Sequence, residues 1–187
     1  RIHAVGERFG FSERYTGKRA NVEYVSANPT GPLHPGHGRN VALGDSIARL
    51  LEAVGYRVTR EYYFNNAGRQ MQNLARSIYA RYRQLLGDDY PFDDENGYRG
   101  QYIVEIAREL VEEYGDQLRE ESEEHLAICR AKGEAWCFAS IRRTLERLDV
   151  HHDVYFNEYS LYTDGHIART VEQLRQRGLV YEKDGAT

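Results

Sequence analysis

The sequence predicts an α/β fold, in which a Rossmann-like parallel sheet carries a helical insertion. Strand and helix patterns alternate at the start of the chain, an order typical of a parallel sheet. Helical patterns fill residues 99–148, and a strand pattern returns at Asp153–Asn157. We therefore expect the first part of the sheet domain at 1–96, the helical insertion at 97–149, and a continuation of the sheet domain at 150–187.

Each element of the first part has a recognisable pattern. Residues 1–19 are polar and basic with little periodicity, and we expect a connector there. Alternation predicts strands at Asn21–Ser26 and at about Val58–Phe64. Between them, a helix is expected from near Arg39 to a natural stop at Gly55. Its apolar stripe is marked by Leu43, Ile47, Leu50, Leu51 and Val54.

The later elements follow from the same reasoning. A second helix is expected over about residues 68–86. The insertion should contain two or three helices that break near Gly115 and Gly133. A last helix should end at Gly178, and one more strand should begin at Leu179–Glu182. Because a sheet of this kind continues with further strands, we expect the sequence to be a fragment of a longer protein.

Composition and charge narrow the possible functions. The chain has 187 residues, of which 41% are hydrophobic and 29% charged, so it should fold around a core. Residues 97–149 hold 8 basic and 12 acidic residues, which disfavours a non-specific phosphate-binding surface, and no DNA partner is predicted. The sequence has no long apolar run, so no membrane partner is expected. Cys129 and Cys137 are interpreted as reduced, buried thiols, which suits a cytoplasmic protein.

The stretch His34-Pro35-Gly36-His37, between the first strand and the first helix, has the chemistry of a phosphate site. A helix N-terminus offers unpaired N–H groups and a partial positive charge. Gly36 and Gly38 allow the backbone to approach a ligand closely. The two imidazoles can donate hydrogen bonds to a reacting phosphate, so His34 and His37 are the candidate catalytic residues.

The histidines allow two other interpretations. His34 and His37 could form half of a zinc site, but a structural zinc needs four ligands and no cysteine is near in the sequence. No metal site is therefore predicted. The histidines could also be ordinary loop residues. The position of the motif after a strand and before a helix favours the phosphate site.

The residues around this motif resemble the catalytic domain of bacterial arginyl-tRNA synthetases. The resemblance begins at Val22–Asn40, and the run Ser26–Gly31 (SANPTG) is its most specific part. It continues, in the family's order, at residues 44–45, 55–63, 65–70, 97–100, 158–162 and 181–186. The HxGH motif alone would indicate only the superfamily of class I aminoacyl-tRNA synthetases and nucleotidyltransferases. The resemblance implies the class I synthetase nucleotide-binding fold, here incomplete.

The resemblance also implies a function. An arginine–tRNA ligase uses ATP, with Mg²⁺, to activate L-arginine as arginyl-adenylate, and then transfers the arginyl group to tRNA(Arg) for protein biosynthesis. The implied ATP-binding residues are His34, Gly36, His37 and Asn40. The implied arginine-binding residues are Ser26, Ala27, Asn28, His37 and Glu158. Of these, Glu158 would pair with the guanidinium.

The sequence departs from the family pattern at two positions. Pro35 stands where the family more often has a small or β-branched apolar residue, and proline suits a helix entry. Asn66 stands where the family usually has aspartate, so any electrostatic role of that acid would be lost. We expect the family's Lys-Met-Ser-Lys-type loop, anticodon-binding domain and N-terminal tRNA-binding domain to lie outside this sequence. The resemblance also implies that bound tRNA is usually needed for the activation step, so the fragment alone is expected to be inactive.

Two alternative functions are compatible with the HxGH motif alone. A small nucleotidyltransferase with the same HxGH motif would need neither the run Ser26–Gly31 nor the helical insertion. A synthetase-like binding module without catalytic activity should have lost the motif histidines, and both His34 and His37 are present.

Overall fold

A computed structural model describes residues 2–181, and a sheet of three parallel strands lies at its centre. The strands are β1 (Arg19–Glu23), β2 (Arg57–Phe64) and β3 (Val154–Asn157). Strand β2 lies in the middle, with Tyr62 opposite Tyr155 of β3. The predicted parallel α/β arrangement is therefore confirmed. Since all three strands run in the same direction, their carboxyl ends meet at one edge of the sheet.

Helices connect the three strands and also precede and follow the sheet. They are α1 (Ile2–Val5), α2 (Pro35–Ala53), α3 (Gly68–Leu85), α4 (Gln101–Tyr114), α5 (Glu123–Arg147), α6 (Ser160–Thr163) and α7 (His166–Gln176). A short 3-10 turn, Gly6–Arg8, follows α1. Gly55 follows the C-cap residue Val54 of α2 and has a φ of 101°, and Gly115 caps α4 with a φ of 60°. Both stops were expected, because glycine adopts this backbone conformation without strain.

The end of β1 and the start of α2 both differ from the sequence prediction. Strand β1 ends at Glu23 rather than at Ser26, because Val25 and Ser26 have positive φ angles that no strand residue adopts. Helix α2 begins at Pro35 rather than near Arg39, because His34 caps it and proline fits its first turn. The motif glycines therefore belong to the first turn of the helix.

The apolar stripe expected on α2 does not face the sheet. Leu43, Ile47 and Leu50 are 62%, 41% and 68% exposed. The buried residues of α2 are instead Val41, Gly44 and Ala48. These residues are small because the helix lies very close to the sheet: a Cβ on Gly44 would be 2.3 Å from Cβ of Tyr24.

Gly133 does not break a helix, contrary to the sequence prediction, and α5 runs through it without interruption. A Cβ at this position would lie 2.5 Å from Cδ1 of Ile78 and 3.1 Å from Cδ2 of Leu74, both on α3. The glycine is therefore the point where α3 and α5 pack most closely, and the absent side chain allows their approach.

Two hydrophobic clusters stabilise the molecule. The first joins α3, α4 and the N-terminal half of α5, and it buries Ile78, Ile106 and Cys129. The second joins the sheet to α2 and to the C-terminal half of α5, through Ile141 and Leu145. Helix α5 thus contributes to both clusters. The division of the chain at residues 96 and 149 stays a prediction.

Both cysteines, Cys129 and Cys137, are buried and unbridged, as expected.

The strand predicted at Leu179–Glu182 is not formed at 179–181, and Glu182 lies outside the described residues. Helix α7 ends just before Gly178, as predicted. Within residues 2–181, none of the helices combines the length and apolar character that a membrane crossing requires.

Candidate active site

The predicted site residues lie at the edge of the sheet where the carboxyl ends of the strands meet. Ser26–Asn28 follow β1, and Glu158 follows β3 directly. His34 and His37 lie at the start of α2, which leaves this edge to return along the sheet. Asn65 directly follows β2, between the other two groups. Open parallel sheets bind their ligands at this edge, so its geometry favours a single binding site.

The first turn of α2 holds the two motif histidines. His34 is the N-cap residue, and its Nδ1 accepts a hydrogen bond from the amide of Gly36 at 3.1 Å. Nδ1 of His37 accepts a hydrogen bond from the amide of His34 at 3.2 Å. Because each Nδ1 is an acceptor, the proton of each neutral ring lies on Nε2. Each ring can therefore donate one hydrogen bond to a ligand.

The two rings also affect each other. Their centroids are 3.9 Å apart. Burial lowers the pKa of His37 from its ordinary value, and the charge that His34 carries when protonated lowers this pKa further. His37 is therefore neutral near pH 7, in the form that donates from Nε2.

The segment after β1 has an unusual backbone. Val25 and Ser26 have φ angles of 69° and 45°, in the left-handed region that residues other than glycine seldom adopt. Oδ1 of Asn40 accepts a hydrogen bond from the amide of Val25 at 2.7 Å. Oγ of Ser26 accepts one from the amide of Tyr63 at 3.1 Å and donates to the Glu23 carboxylate. The side-chain oxygen of Asn40, a predicted ATP-binding residue, thus stabilises this segment.

Asn28 connects the loops at the ends of β1 and β2. Its Oδ1 accepts a hydrogen bond from the amide of Asn65 at 2.9 Å. Its Nδ2 donates to Oε1 of Gln70, in the first turn of α3, at 2.8 Å. The side-chain amide of Asn28 is therefore held in one orientation by two neighbouring elements.

Both carboxylate oxygens of Glu158 have protein donors. The hydroxyl of Tyr63 donates to Oε2 at 3.0 Å, and Nδ2 of Asn65 donates to Oε1 at 2.7 Å. Burial and the neighbouring Glu158 charge raise the pKa of Tyr63, so its hydroxyl keeps the proton that it donates. Each carboxylate oxygen has a further lone pair for an additional donor. Asn65 connects Glu158 to Asn28.

A cleft of about 460 Å³ opens beside these groups. The predicted site residues that line it are Ser26, Ala27, Asn28, His34 and His37. The other lining residues are Thr30, Gly31, Pro32, Gln70, Tyr98 and Tyr102. Gly36, Asn40 and Glu158 are outside the lining, although each makes a hydrogen bond to a residue at or next to it.

Several of these residues were not predicted from the sequence. Gln70 could have been, because it lies in the first turn of the helix after β2, the same position that selected the histidines after β1. Tyr98 lies between α3 and α4, Tyr102 lies on α4, and no sequence pattern places either of them at the sheet. The hydroxyl of Tyr102 donates to the carbonyl of Thr30 at 2.7 Å, so α4 closes one side of the cleft.

A family model and the curated relatives of this chain point to the same family. The model of the family "tRNA synthetases class I (R), catalytic domain" matches residues 9–187. An arginine–tRNA ligase of Desulfotalea psychrophila is 51% identical over 185 residues, which are 99% of this chain and 33% of that protein. An arginine–tRNA ligase of Bacillus subtilis is 48% identical over 183 residues, which are 97% of this chain and 33% of that protein. The chain thus spans about a third of the length of the curated relatives it matches.

Solved structures agree with this result. A Campylobacter jejuni protein assigned as an arginyl-tRNA synthetase superposes with a TM-score of 0.85 at 33% identity, covering 98% of this chain and 40% of that chain. The arginyl-tRNA synthetase of Thermus thermophilus superposes with a TM-score of 0.57 at 23% identity, covering 94% of this chain and 30% of that chain. The second comparison supports the fold alone.

Proposed function

The chain belongs to the family of class I tRNA synthetase (R) catalytic domains, and we propose that it is the ATP- and arginine-binding part of an arginine–tRNA ligase. The whole enzyme would activate L-arginine with ATP and transfer the arginyl group to tRNA(Arg). One observation carries the proposal: His34 and His37, whose neutral rings keep an Nε2–H donor, lie at a helix N-terminus and line the same cleft as Ser26–Asn28.

The activation step requires stabilisation of charge rather than a protein nucleophile. A carboxylate oxygen of arginine attacks the α-phosphorus of ATP, and the bond to the bridging oxygen breaks as pyrophosphate leaves. Negative charge is spread over the phosphate oxygens in this transition state. The donors of His34 and His37, together with the N-terminus of α2, would stabilise it. The protein contributes by positioning the two substrates.

We propose that Gly36 and Asn40 complete the ATP site. A Cβ on Gly36 would be 2.9 Å from Cε1 of His34, so a larger residue would displace that ring. Asn40 keeps its side-chain N–H groups for the nucleotide while its oxygen holds Val25.

Mg²⁺ is expected to accompany ATP. The described lining residues supply hydroxyl, amide and imidazole groups rather than carboxylates, which fits a magnesium ion held by phosphate oxygens and water. When bound, the ion supplies positive charge to the phosphates. The residues of this chain would then orient the α-phosphate between His34 and His37.

We propose that arginine lies between the cleft and Glu158. Ser26, Ala27, Asn28 and His37 would hold the α-amino and carboxylate end, and Glu158 would pair with the guanidinium through two hydrogen bonds. Asn65 joins Asn28 to Glu158 through contacts of 2.9 and 2.7 Å. The two side chains are therefore separated by at most about 10 Å. An arginine side chain with a hydrogen bond at each end can span roughly 12 Å.

The transfer step and the recognition of tRNA(Arg) belong to the whole enzyme in this proposal. We also propose a cytoplasmic location, which the unbridged Cys129 and Cys137 support. A small nucleotidyltransferase is less well supported, because the family match includes the helical insertion. A non-catalytic module is less well supported, because both histidines and their capping hydrogen bonds are intact.

The proposal is tested by the exchange of labelled pyrophosphate into ATP, catalysed by the full-length protein in the presence of tRNA(Arg). Arginine should support exchange, whereas citrulline, which has the same shape without the positive charge, should support it at least tenfold less, on the order of one lost charged hydrogen bond. A full-length protein that is folded but shows no arginine-dependent exchange would contradict the proposal.

A further inference from the structure

The backbone of the segment 25–28, which contains the proposed arginine-binding residues Ser26, Ala27 and Asn28, has an unfavourable conformation. Val25 is β-branched, and its φ of 69° is followed by a second positive φ at Ser26. Such residues keep this conformation only when surrounding groups hold them in it. Asn40 holds the start of the segment through the Val25 amide. A second group is needed at its far end, where Ala27 lines the cleft.

The hydroxyl of Tyr62 holds both main-chain polar groups of Ala27. It accepts a hydrogen bond from the amide at 3.2 Å and donates one to the carbonyl oxygen at 2.8 Å. Tyr62 is fully buried, and its ring packs between Tyr155, with centroids 5.2 Å apart, and His152, with centroids 5.4 Å apart. Burial raises the pKa of Tyr62, so the donated proton stays on the hydroxyl.

We propose that Tyr62 is a positioning residue for amino-acid binding, which acts through the main chain of Ala27 and sets the positions of Ser26 and Asn28. The inference rests on the proposed function of that segment. Tyr62 is fully buried, so it does not touch the substrate itself. Its hydroxyl should affect the binding of arginine and leave the ATP site at His34 and His37 unchanged.

The chain contains a close control for this idea. Tyr82, in the helical cluster, is also fully buried, and its hydroxyl also binds two main-chain groups. It donates to the carbonyl of Gly115 at 2.8 Å and accepts from the amide of Leu118 at 3.2 Å. Tyr62→Phe and Tyr82→Phe therefore remove the same atom and the same kinds of hydrogen bond. The first change affects Ala27 at the cleft, and the second affects Gly115 and Leu118 in the helical cluster.

The experiment compares both variants of the full-length ligase with the wild type. Both should lower Tm by a similar amount. Tyr62→Phe should raise the KM for arginine about tenfold with the KM for ATP and kcat within about twofold, the pattern of a lost ground-state binding contribution. Tyr82→Phe should leave all three constants within about twofold. An unchanged KM for arginine in Tyr62→Phe, or an equal rise in Tyr82→Phe, would overturn the proposal.

The same experiment separates this proposal from the proposed function. If the wild type itself shows no arginine-dependent exchange, the function is wrong, whatever the variants do. If Tyr62→Phe does not fold, amide hydrogen exchange of the wild type decides. The Ala27 amide should then exchange as slowly as the amides of β2 in the absence of substrate. Rapid exchange at Ala27 would show that Tyr62 does not hold the segment.

Discussion

The amide of His34 donates to Nδ1 of His37 across 3.2 Å, and this hydrogen bond decides which nitrogen of the neutral His37 ring carries the proton. The ring proton of neutral His37 must lie on Nε2. The hydrogen bond that caps the helix therefore also leaves Nε2–H of His37 as a hydrogen-bond donor. Protonation of His37 would place a proton on Nδ1 and break this bond.

This relationship predicts how stability depends on pH. Burial lowers the pKa of His37 in the folded protein, so the unfolded chain binds the proton more readily. The contribution of neutral His37 is fully present above its unfolded pKa, about 6.5, and is lost as the pH falls through its folded pKa. Between pH 7 and pH 5, the wild type should lose stability relative to His37→Gln in urea titrations. A constant difference over this range would contradict the assignment.

A second prediction concerns Asn66, which departs from the family pattern. Its Nδ2 donates to Oε1 of Glu134 at 2.8 Å. Asn66→Asp would place two carboxylates together, and we expect a loss of about 1–3 kcal/mol at pH 7. The loss should shrink toward pH 4, where one carboxylate is protonated. In the double variant with Glu134→Gln, the new amide can donate to the new aspartate, so the stability should return. Equal stability of the single variant and the wild type at pH 7 would show that this contact is unimportant.

Close packing of α2 on the sheet gives a third prediction. A Cβ on Gly44 would lie 2.3 Å from both Cβ and Cγ of Tyr24, atoms that cannot move without shifting the strand exit. Gly44→Ala should destabilise the protein by about 2 kcal/mol or more. Gly38→Ala is the control on the same helix, because no atom lies within 4 Å of its added Cβ. It should be neutral or stabilising by up to about 1 kcal/mol. The two unfolding curves must therefore shift differently, and equal shifts would reject this packing.

A fourth prediction concerns the specificity for arginine. Glu158→Gln keeps the size of the side chain and removes its charge. It should weaken arginine binding by about 2–5 kcal/mol, leave the KM for ATP nearly unchanged, and narrow the preference for arginine over citrulline. Glu146→Gln is the control, since Glu146 is exposed on α5. An unchanged KM for arginine in Glu158→Gln would mean that another acid binds the guanidinium and that Glu158 only orients Tyr63 and Asn65.

The sequence was sufficient for the alternation of strands and helices from β1 to α3 and for the position of the histidine motif, because these depend on local patterns. It was insufficient where packing decides. Glycine can end a helix or allow two helices to pack closely, and the sequence does not distinguish these roles. The close contact with Ile78 on α3 shows that Gly133 has the second role, unlike Gly115. The same holds for α2, where the large residues Leu43 and Leu50 suggested the wrong buried face. Tyr102 reaches the cleft only through the folding of α4.

The most direct test of the proposed function is the single-turnover rate of arginyl-adenylate formation by the full-length protein with tRNA(Arg) bound. His37→Ala removes one Nε2–H donor, and the rate should fall about 100- to 1000-fold, as with the loss of an oxyanion donor, with little change in Tm. His151→Ala removes an exposed histidine outside the cleft and should change the rate less than about twofold. A His37→Ala enzyme with near-normal turnover per folded molecule and a Tm lowered by many degrees would contradict the account, because the histidine would then be only structural.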